Sequence, residues 1–457
     1  MNRRQALRTI GKLSASAAFA GPLLDASGEG KAAKGPKLQP ERRTPTAHNP
    51  VANQPTNFDP ESTRLLEELR ERASHFFLEQ ADPSTGLVYD RARADGSATL
   101  RTQPLASIAA TGFGLSALSI AISHGYLPED QCAQRIMLTL QVAANKIPHK
   151  NGFLPHYLNA RTFEVLSPQE FSSIDTSLFL AGALHAARGM NSARADALVK
   201  KIYDRVDWRW MTNHEETLTM GWEPGRGFQT VRWNSYSECL LMYLLAIGSS
   251  THPIPASSWD AVTRNTYDFG GIRFISSFGA LFIHQYPHIW LDLRSTRDHY
   301  ANYFQNSIAA MRAHKTWCML QHGRFDWVDE RIWGFSASDN PRGSYSAWGA
   351  PPVVGDWDGT LSPHAAAGGL VLLPEECIVA LKTFRTLYPR SWERYGFVNA
   401  FNPGSPDGGW YDPDIISIDL GLGMLMVENL LTGSVWAACR QIPELARSMK
   451  AVGFIPA

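Results

Sequence analysis

Residues 173–187 read SIDTSLFLAGALHAA, small and apolar on every side of the helix that they predict. A helix that is apolar all round is buried all round, and its Ala, Gly and Ser let neighbouring helices approach closely. Segments of the same kind begin near Ser107 (SIAATGFGLSALSIAI), Tyr236 (YSECLLMYLLAIG), Ala301 (ANYFQNSIAAM), His364 (HAAAGGLVLLPEECIVAL) and Ser417 (SIDLGLGMLMVENLL). Counting from Ser107, successive starts lie 53 to 66 residues apart. Self-similarity at a fixed period marks a repeated supersecondary unit.

Amphipathic segments alternate with the apolar ones. Residues 62–79 place Leu65, Leu66, Leu69, Ala73, Phe76 and Phe77 on one face at spacings of three and four, with Glu and Arg opposite. Residues 130–146 and 192–206 behave in the same way. One buried and one half-exposed helix, repeated six times, predict an all-α fold: an (α/α)6 barrel of six inner and six outer helices. Its inner ring packs on itself and its outer ring covers it. An open solenoid is the alternative, but six is a closing number, and solenoid repeats are usually shorter, about 34–47 residues. Short β hairpins are expected in the loops, for example over the alternating stretch 152–158 and 162–166.

The chain has 457 residues, and 43 Lys and Arg balance 43 Asp and Glu. That neutrality argues against a dedicated nucleic-acid binder, which carries a basic excess. With 44% apolar and 19% charged residues the chain is globular, not disordered. The start is different. Arg3 and Arg4 precede a modest apolar run from Leu13 to Leu24, with Ala18-Phe19-Ala20 as a small-x-small cleavage site. This resembles a twin-arginine export signal over residues 1–26. It is too short and too rich in Ala and Ser to span a membrane, which takes about 20 strongly apolar residues. Residues 27–58, rich in Gly, Pro, Lys, Asn and Thr, read as a flexible linker. Residues 59–457 are then a single barrel, in a protein that is periplasmic or secreted. The five scattered Cys form no CxxC pair, so neither a zinc knuckle nor a disulfide framework is expected.

Inner helices of such a barrel point their ends into a central pocket. The polar residues near their starts are Thr111, Asp175, Glu238, Asn302 with Asn306, His364 and Asp419. An acidic side chain in a buried helix is costly unless it is paired or functional. Helix capping explains any one of these acids alone; three together, Asp175, Glu238 and Asp419, point to function. Paired carboxyl groups near aromatic loops suit glycoside hydrolysis, in which one acid protonates the leaving oxygen and the other activates water or attacks carbon. The loops carry the aromatic and polar groups that sugars use. Among them are Trp233, His284 with Gln285, Asp339 with Tyr345, and Trp348. Packing of the long loops is the alternative role for any single Trp. Zinc at His284, His288 and Asp292 is disfavoured, because the HExxH glutamate is missing. Asp412, Asp414 and Asp419 lack the spacing and Gly of a calcium loop. No GxSxG, P-loop or strand-led GxGxxG occurs.

Several stretches together resemble the glucoamylase-like family of bacterial (α/α)6 proteins, which includes the family 144 glycoside hydrolases, the endo-β-1,2-glucanases. They are GLVYD (86–90), TGFG (111–114), GFLPH (152–156), SIDT (173–176), WNSYSE (233–238), LFIHQ (281–285) leading to DLR (292–294), GFSASD (334–339), Tyr345 to WGAPP (348–352), YGF (395–397), and Asp419 to Glu428-Asn429. The resemblance implies an inverting hydrolase of β-1,2-glucan, endo-acting, with Glu238 as general acid and Asp419 as base. In related enzymes the base reaches its water through a substrate hydroxyl. Sugar contacts are implied for Asp175, Trp233, Tyr236, His284, Gln285, Arg294, Asp339, Tyr345 and Trp348. No cofactor or metal is implied, and the expected partner is a glucan polysaccharide or oligosaccharide, bound by a monomer without membrane insertion. The last motif departs from the family's Ile-Asp-Gln-Gly-Pro: here it is Ile418-Asp419-Leu420-Gly421-Leu422. That change beside the base keeps other readings open. They are an exo-hydrolase releasing disaccharide, a transglycosylase and a hydrolase of another linkage; a glycan-binding protein without turnover is a separate alternative, and a lyase is disfavoured by the resemblance.

Overall fold

The computed structural model describes residues 58–97 and 104–457. The expected export signal and, apart from Phe58, the expected linker lie outside the described residues. The first helix, α1 (Pro60–Glu79), is opened by Asp59, whose carboxylate accepts the Ser62 N–H at 2.9 Å, and by Pro60, preset for a first helical turn. Its buried face carries the six apolar residues expected from the spacing. The inner helix α2 (Ile108–His124) follows, capped by Ser107 and stopped by Gly125 in the left-handed region. Residues 108–121 are all buried. Next come the half-exposed α3 (Glu129–Asn145), the inner α4 (Ser173–Met190), the half-exposed α5 (Ala193–Asp204) and the fully buried α6 (Leu240–Gly248). The alternation follows the sequence pattern.

The fourth repeat corrects the expectation. The segment expected from Ala301 forms α8 (Tyr303–Leu320), which buries one side and exposes Met319 and Leu320. It is an outer helix. Asn302 caps it, and Asn306 turns its side chain to the Ile275 backbone. The inner position belongs instead to a 3-10 turn, Leu281–His284, and α7 (Pro287–Trp290), buried throughout. In the fifth repeat, residues 364–381 are not one helix. An inner turn, α9 (Pro363–Ala367), is separated from the outer α10 (Pro374–Leu387). Pro374 starts the new helix, since a proline inside a helix removes a backbone donor and clashes with the preceding turn. The last inner helix is α11 (Ser417–Leu431).

The ring closes as an (α/α)6 barrel. Inner helix α2 packs on α4 and on α11; α4 packs on α6, and α9 on α11. Gln285 joins the fourth unit to the fifth by donating to the Ala365 carbonyl at 2.7 Å. The seam between the start and the end of the barrel is fastened twice. Strand β1 (Arg91–Arg93) pairs antiparallel with β6 (Asp414–Ile416), and Arg70 of α1 meets Glu428 of α11 at 2.6 Å in a buried ion pair. Of the expected hairpin, Leu158 and Val165 form an antiparallel bridge, and β3 (Tyr157–Asn159) takes β2 (Leu105–Ser107) as its main partner. A further hairpin joins β4 (Ala337–Asp339) to β5 (Tyr345–Ala347). No helix among the described residues is long and apolar enough to cross a membrane.

Candidate active site

Three inner helices are entered directly from strands: α2 from β2, α4 from Phe171–Ser172, and α11 from β6. These strands lie at the N-terminal ends of the inner helices, and each of the three acids stands near the start of one inner helix. Asp175 is the third residue of α4, Asp419 the third residue of α11, and Glu238 lies two residues before α6. All three are buried.

A polar arc links Asp175 to Asp419. The Ser172 hydroxyl accepts the Asp175 N–H at 3.0 Å and donates to the same residue's carboxylate. His156 Nδ1 lies 3.5 Å from that carboxylate. The Tyr157 ring sits 3.9 Å from the His156 ring, and burial, with the carboxylates of Asp90 and Asp175, pushes the Tyr157 hydroxyl well up. Arg91 stands 3.4 Å from Asp90 and donates to Asp339. The Asp339 N–H donates to Asn399 Oδ1 at 3.3 Å, and Asn399 Nδ2 donates to Asp419 Oδ2 at 2.8 Å. His364 Nε2 is 3.8 Å from the other Asp419 oxygen. Beside the arc, Asp412 is buried. Desolvation first, then the nearby Asp339 carboxylate, push its carboxyl up to about 8.

Next to Asp419 lies a small cavity with His364, Asn399 and Asp419 on its wall. The rest of that wall is mostly apolar, with Leu69 and Ala73 of α1 and Leu420 and Met424 of α11. Leu420, which departs from the family motif, therefore faces apolar space.

Other expected site residues are held within the fold. Trp233 donates its indole N–H to Ser173 Oγ at 2.9 Å, fastening the strip that carries Glu238 to the start of α4. Tyr236 is fully buried, stacked on Tyr303, with its hydroxyl 3.4 Å from His284 Nδ1. His284 also meets Ser276 at 3.2 Å, and burial lowers its pKa to about 3, so the ring is neutral. Gln285 is likewise buried. Tyr345 stands opposite Asp339 in the β4–β5 hairpin, with Trp348 just beyond it.

Arg294 is not brought to these helix starts. It grips Asp292 with two bonds of 2.8 Å and lies 4.3 Å over Trp436, past the C-terminal end of α11. Asp419 sits in the first turn of that helix, so the sugar contact expected of Arg294 is corrected to a structural role. His288 bonds Ser307 at 2.8 Å, away from any shared ion site with His284. Among the described residues no group of three or more His, Cys, Asp or Glu could hold a metal. The Cys239 thiol is buried and pushed up to about 12, which leaves it inert as a nucleophile.

Arg91, His156, Tyr157 and Asn399 were missed from sequence. Each owes its place to strand pairing or to a loop far away in the chain. The sequence signals are the polar residues of DRAR (90–93) and PHY (155–157), close to the starts of inner helices, and for His156 the GFLPH stretch; Asn399 has none.

Comparison with known proteins agrees with this architecture. A family model described as "Putative glucoamylase" matches residues 230–443, a span that holds both Glu238 and Asp419. The family resemblance read from the motifs is thereby borne out. A curated relative from Parabacteroides distasonis, "Exo beta-1,2-glucooligosaccharide sophorohydrolase (non-reducing end)", is 23% identical over 442 residues. The match covers 87% of this chain and 59% of the relative, so the chain spans about three fifths of that protein's length. Among solved structures, the endo-β-1,2-glucanase from Chitinophaga pinensis, in complex with sophorotriose and glucose, superposes with a TM-score of 0.79 at 24% identity. It covers 86% of this chain and 98% of that one. The β-1,2-glucanase from Parabacteroides distasonis gives a TM-score of 0.77 at 20% identity, covering 86% of this chain and 60% of that one. At these identities the structural likeness establishes the fold.

Proposed function

We propose that this barrel, which carries the glucoamylase-like family pattern, is an exported glycoside hydrolase that cleaves β-1,2-glucan internally and with inversion. What supports the reading is that three buried acids stand at the starts of three inner helices: Asp175 and Asp419 in the first turns of α4 and α11, and Glu238 just before α6. The fold shared with β-1,2-glucan-cleaving proteins supports the choice of substrate.

In this reading Glu238 gives its proton to the glycosidic oxygen as the C1–O bond breaks. Asp419 takes a proton, passed through a substrate hydroxyl, from the water that attacks C1 from the opposite face. In the same reading Asp175, Asp339, Tyr345 and Trp348 contact sugar hydroxyls and ring faces. Trp348 fits such a role, because its buried indole N–H has no hydrogen-bond partner among the described residues. A buried donor left unpaired is costly, and a sugar hydroxyl would satisfy it. Tyr236, His284 and Gln285 support the site from the core.

The test is product analysis. Purified protein is incubated with linear β-1,2-glucan and with a panel of other glucans, and products are separated over time. A ladder of β-1,2 oligosaccharides supports endo-hydrolysis. A single disaccharide from the outset corrects the mode to exo, the activity named for the curated relative. New products without new reducing ends make the protein a transglycosylase. Cleavage of a different glucan alone overturns the substrate. We also propose that the chain is exported through its twin-arginine start and acts as a monomer. N-terminal sequencing of the periplasmic form tests the first, and light scattering in solution tests the second.

A further inference from the structure

We propose that Asn399 is the positioning residue for Asp419, holding the carboxylate in its working orientation and tying it to the hairpin that carries Asp339. This rests on the reading of Asp419 as the base.

The geometry of Asn399 is fixed on every side. Its backbone N–H donates to the Asp414 carbonyl at 3.3 Å, and the neighbouring Ala400 carbonyl accepts the Asp412 N–H at 2.9 Å. The backbone is therefore laced to the strand that leads into α11. The side-chain amide has two ends, and its two neighbours agree on which end goes where. The Asp339 N–H can only donate, so it takes the amide oxygen, at 3.3 Å. The NH2 group is then turned to Asp419 Oδ2, at 2.8 Å. A hydrogen bond to a carboxylate is about twice as strong as one between neutral groups. It fixes one oxygen of Asp419 and with it the direction of the other. Asp339 is in turn held by Arg91, so the chain of contacts runs from β1 through β4 to α11.

Asn399 is buried and does not need to touch substrate to act. Its loss should reduce turnover more than binding. Two near-isosteric substitutions separate this role from mere packing. Asn399→Leu keeps the volume on the wall of a largely apolar cavity and removes both polar atoms. Asn399→Asp keeps the shape and the acceptor for the Asp339 N–H. It can donate to Asp419 only when the new carboxyl is protonated.

The expected result is a fall in kcat of at least about 30-fold for Asn399→Leu, with KM within about threefold of the parent. Asn399→Asp should be impaired at pH 7 and recover much of its kcat near pH 5, its optimum moving to lower pH. Circular dichroism and thermal melts establish that both variants are folded. A parental kcat in Asn399→Leu overturns the proposal, and so does a folded Asn399→Asp equally impaired at both pH values. Asp419→Asn is measured alongside. If it retains activity, the reading of Asp419 fails, and this proposal with it. If it is inactive while Asn399→Leu is not impaired, the positioning role alone fails.

Discussion

A Cβ built on Gly182 would fall 1.8 Å from the carbonyl oxygen of Gly112, so helices α4 and α2 touch backbone to backbone at this crossing. No side chain fits there, and the obstruction is main chain, which cannot swing aside. Gly182→Ala should force the two inner helices apart, at a cost of about 3 kcal/mol or more. Thermal melting is the check. An unchanged melting temperature would mean that the crossing is looser than the structure shows.

Glu238→Gln should lower kcat on the cleaved glucan by about 10³-fold while leaving the melting curve in place, because only a transferable proton is removed. Reducing-end release measures the first and circular dichroism the second. Full activity in this variant would move the acid elsewhere, with Asp175 next to test.

Asp412 makes the protein less stable as pH rises. Its carboxyl holds a proton up to about pH 8 in the fold, whereas the unfolded chain releases it near the ordinary value of 3.8. Between those values only the folded state keeps the proton. The stability linked to this group is therefore full below about pH 4 and lost as pH climbs through 8. Asp412→Asn mimics the protonated form. It should be the more stable protein at pH 9, by on the order of 2 kcal/mol, with the gap closing towards pH 4. Denaturant unfolding at the two pH values reads the difference, and a constant gap would contradict it.

The buried histidines act in the opposite sense. Burial lowers His284, His288 and His314 to about 3 and His185 to about 4, against an ordinary value of 6.5. The unfolded chain takes up these protons first, so stability falls as pH drops from about 6.5 towards 3. His314→Gln removes one such site and keeps an acceptor for the Phe335 N–H. The loss of melting temperature between pH 7 and pH 4.5 should be smaller in this variant, whatever its value at pH 7. An identical loss would show that His314 takes no part.

The fold was legible in the sequence because burial on all sides leaves a compositional trace, as at residues 108–121 and 173–187. It failed at the fourth repeat, for a physical reason. Residues 281–290 form two short turns broken at Pro287, and their His and Gln resemble a ligand-binding loop. One nitrogen of each is answered inside the core, His284 by Ser276, His288 by Ser307 and Gln285 by the Ala365 carbonyl, which no local pattern reveals. In the site, Asp175 and Asp419 were legible because acids stand out in apolar helices. Asn399 was not. It acquires its place through Asp339 and Asp419, 60 and 20 residues away in the chain.

The seam sets an order on manufacture. Arg70 and Glu428 are 358 residues apart, and β1 pairs with the strand that opens the last inner helix. A ribosome completes α1 long before α11, and these fastenings wait for β6 and α11 to emerge. Joining such distant segments costs loop-closure entropy that no local contact repays beforehand. Through nearly the whole of synthesis the first helix has only part of its mate, and an arginine destined for burial still lacks its carboxylate. A stacked solenoid can harden unit by unit as it is made. This ring must wait for its last segment, so a chaperone or a protease has a long interval in which to find it open.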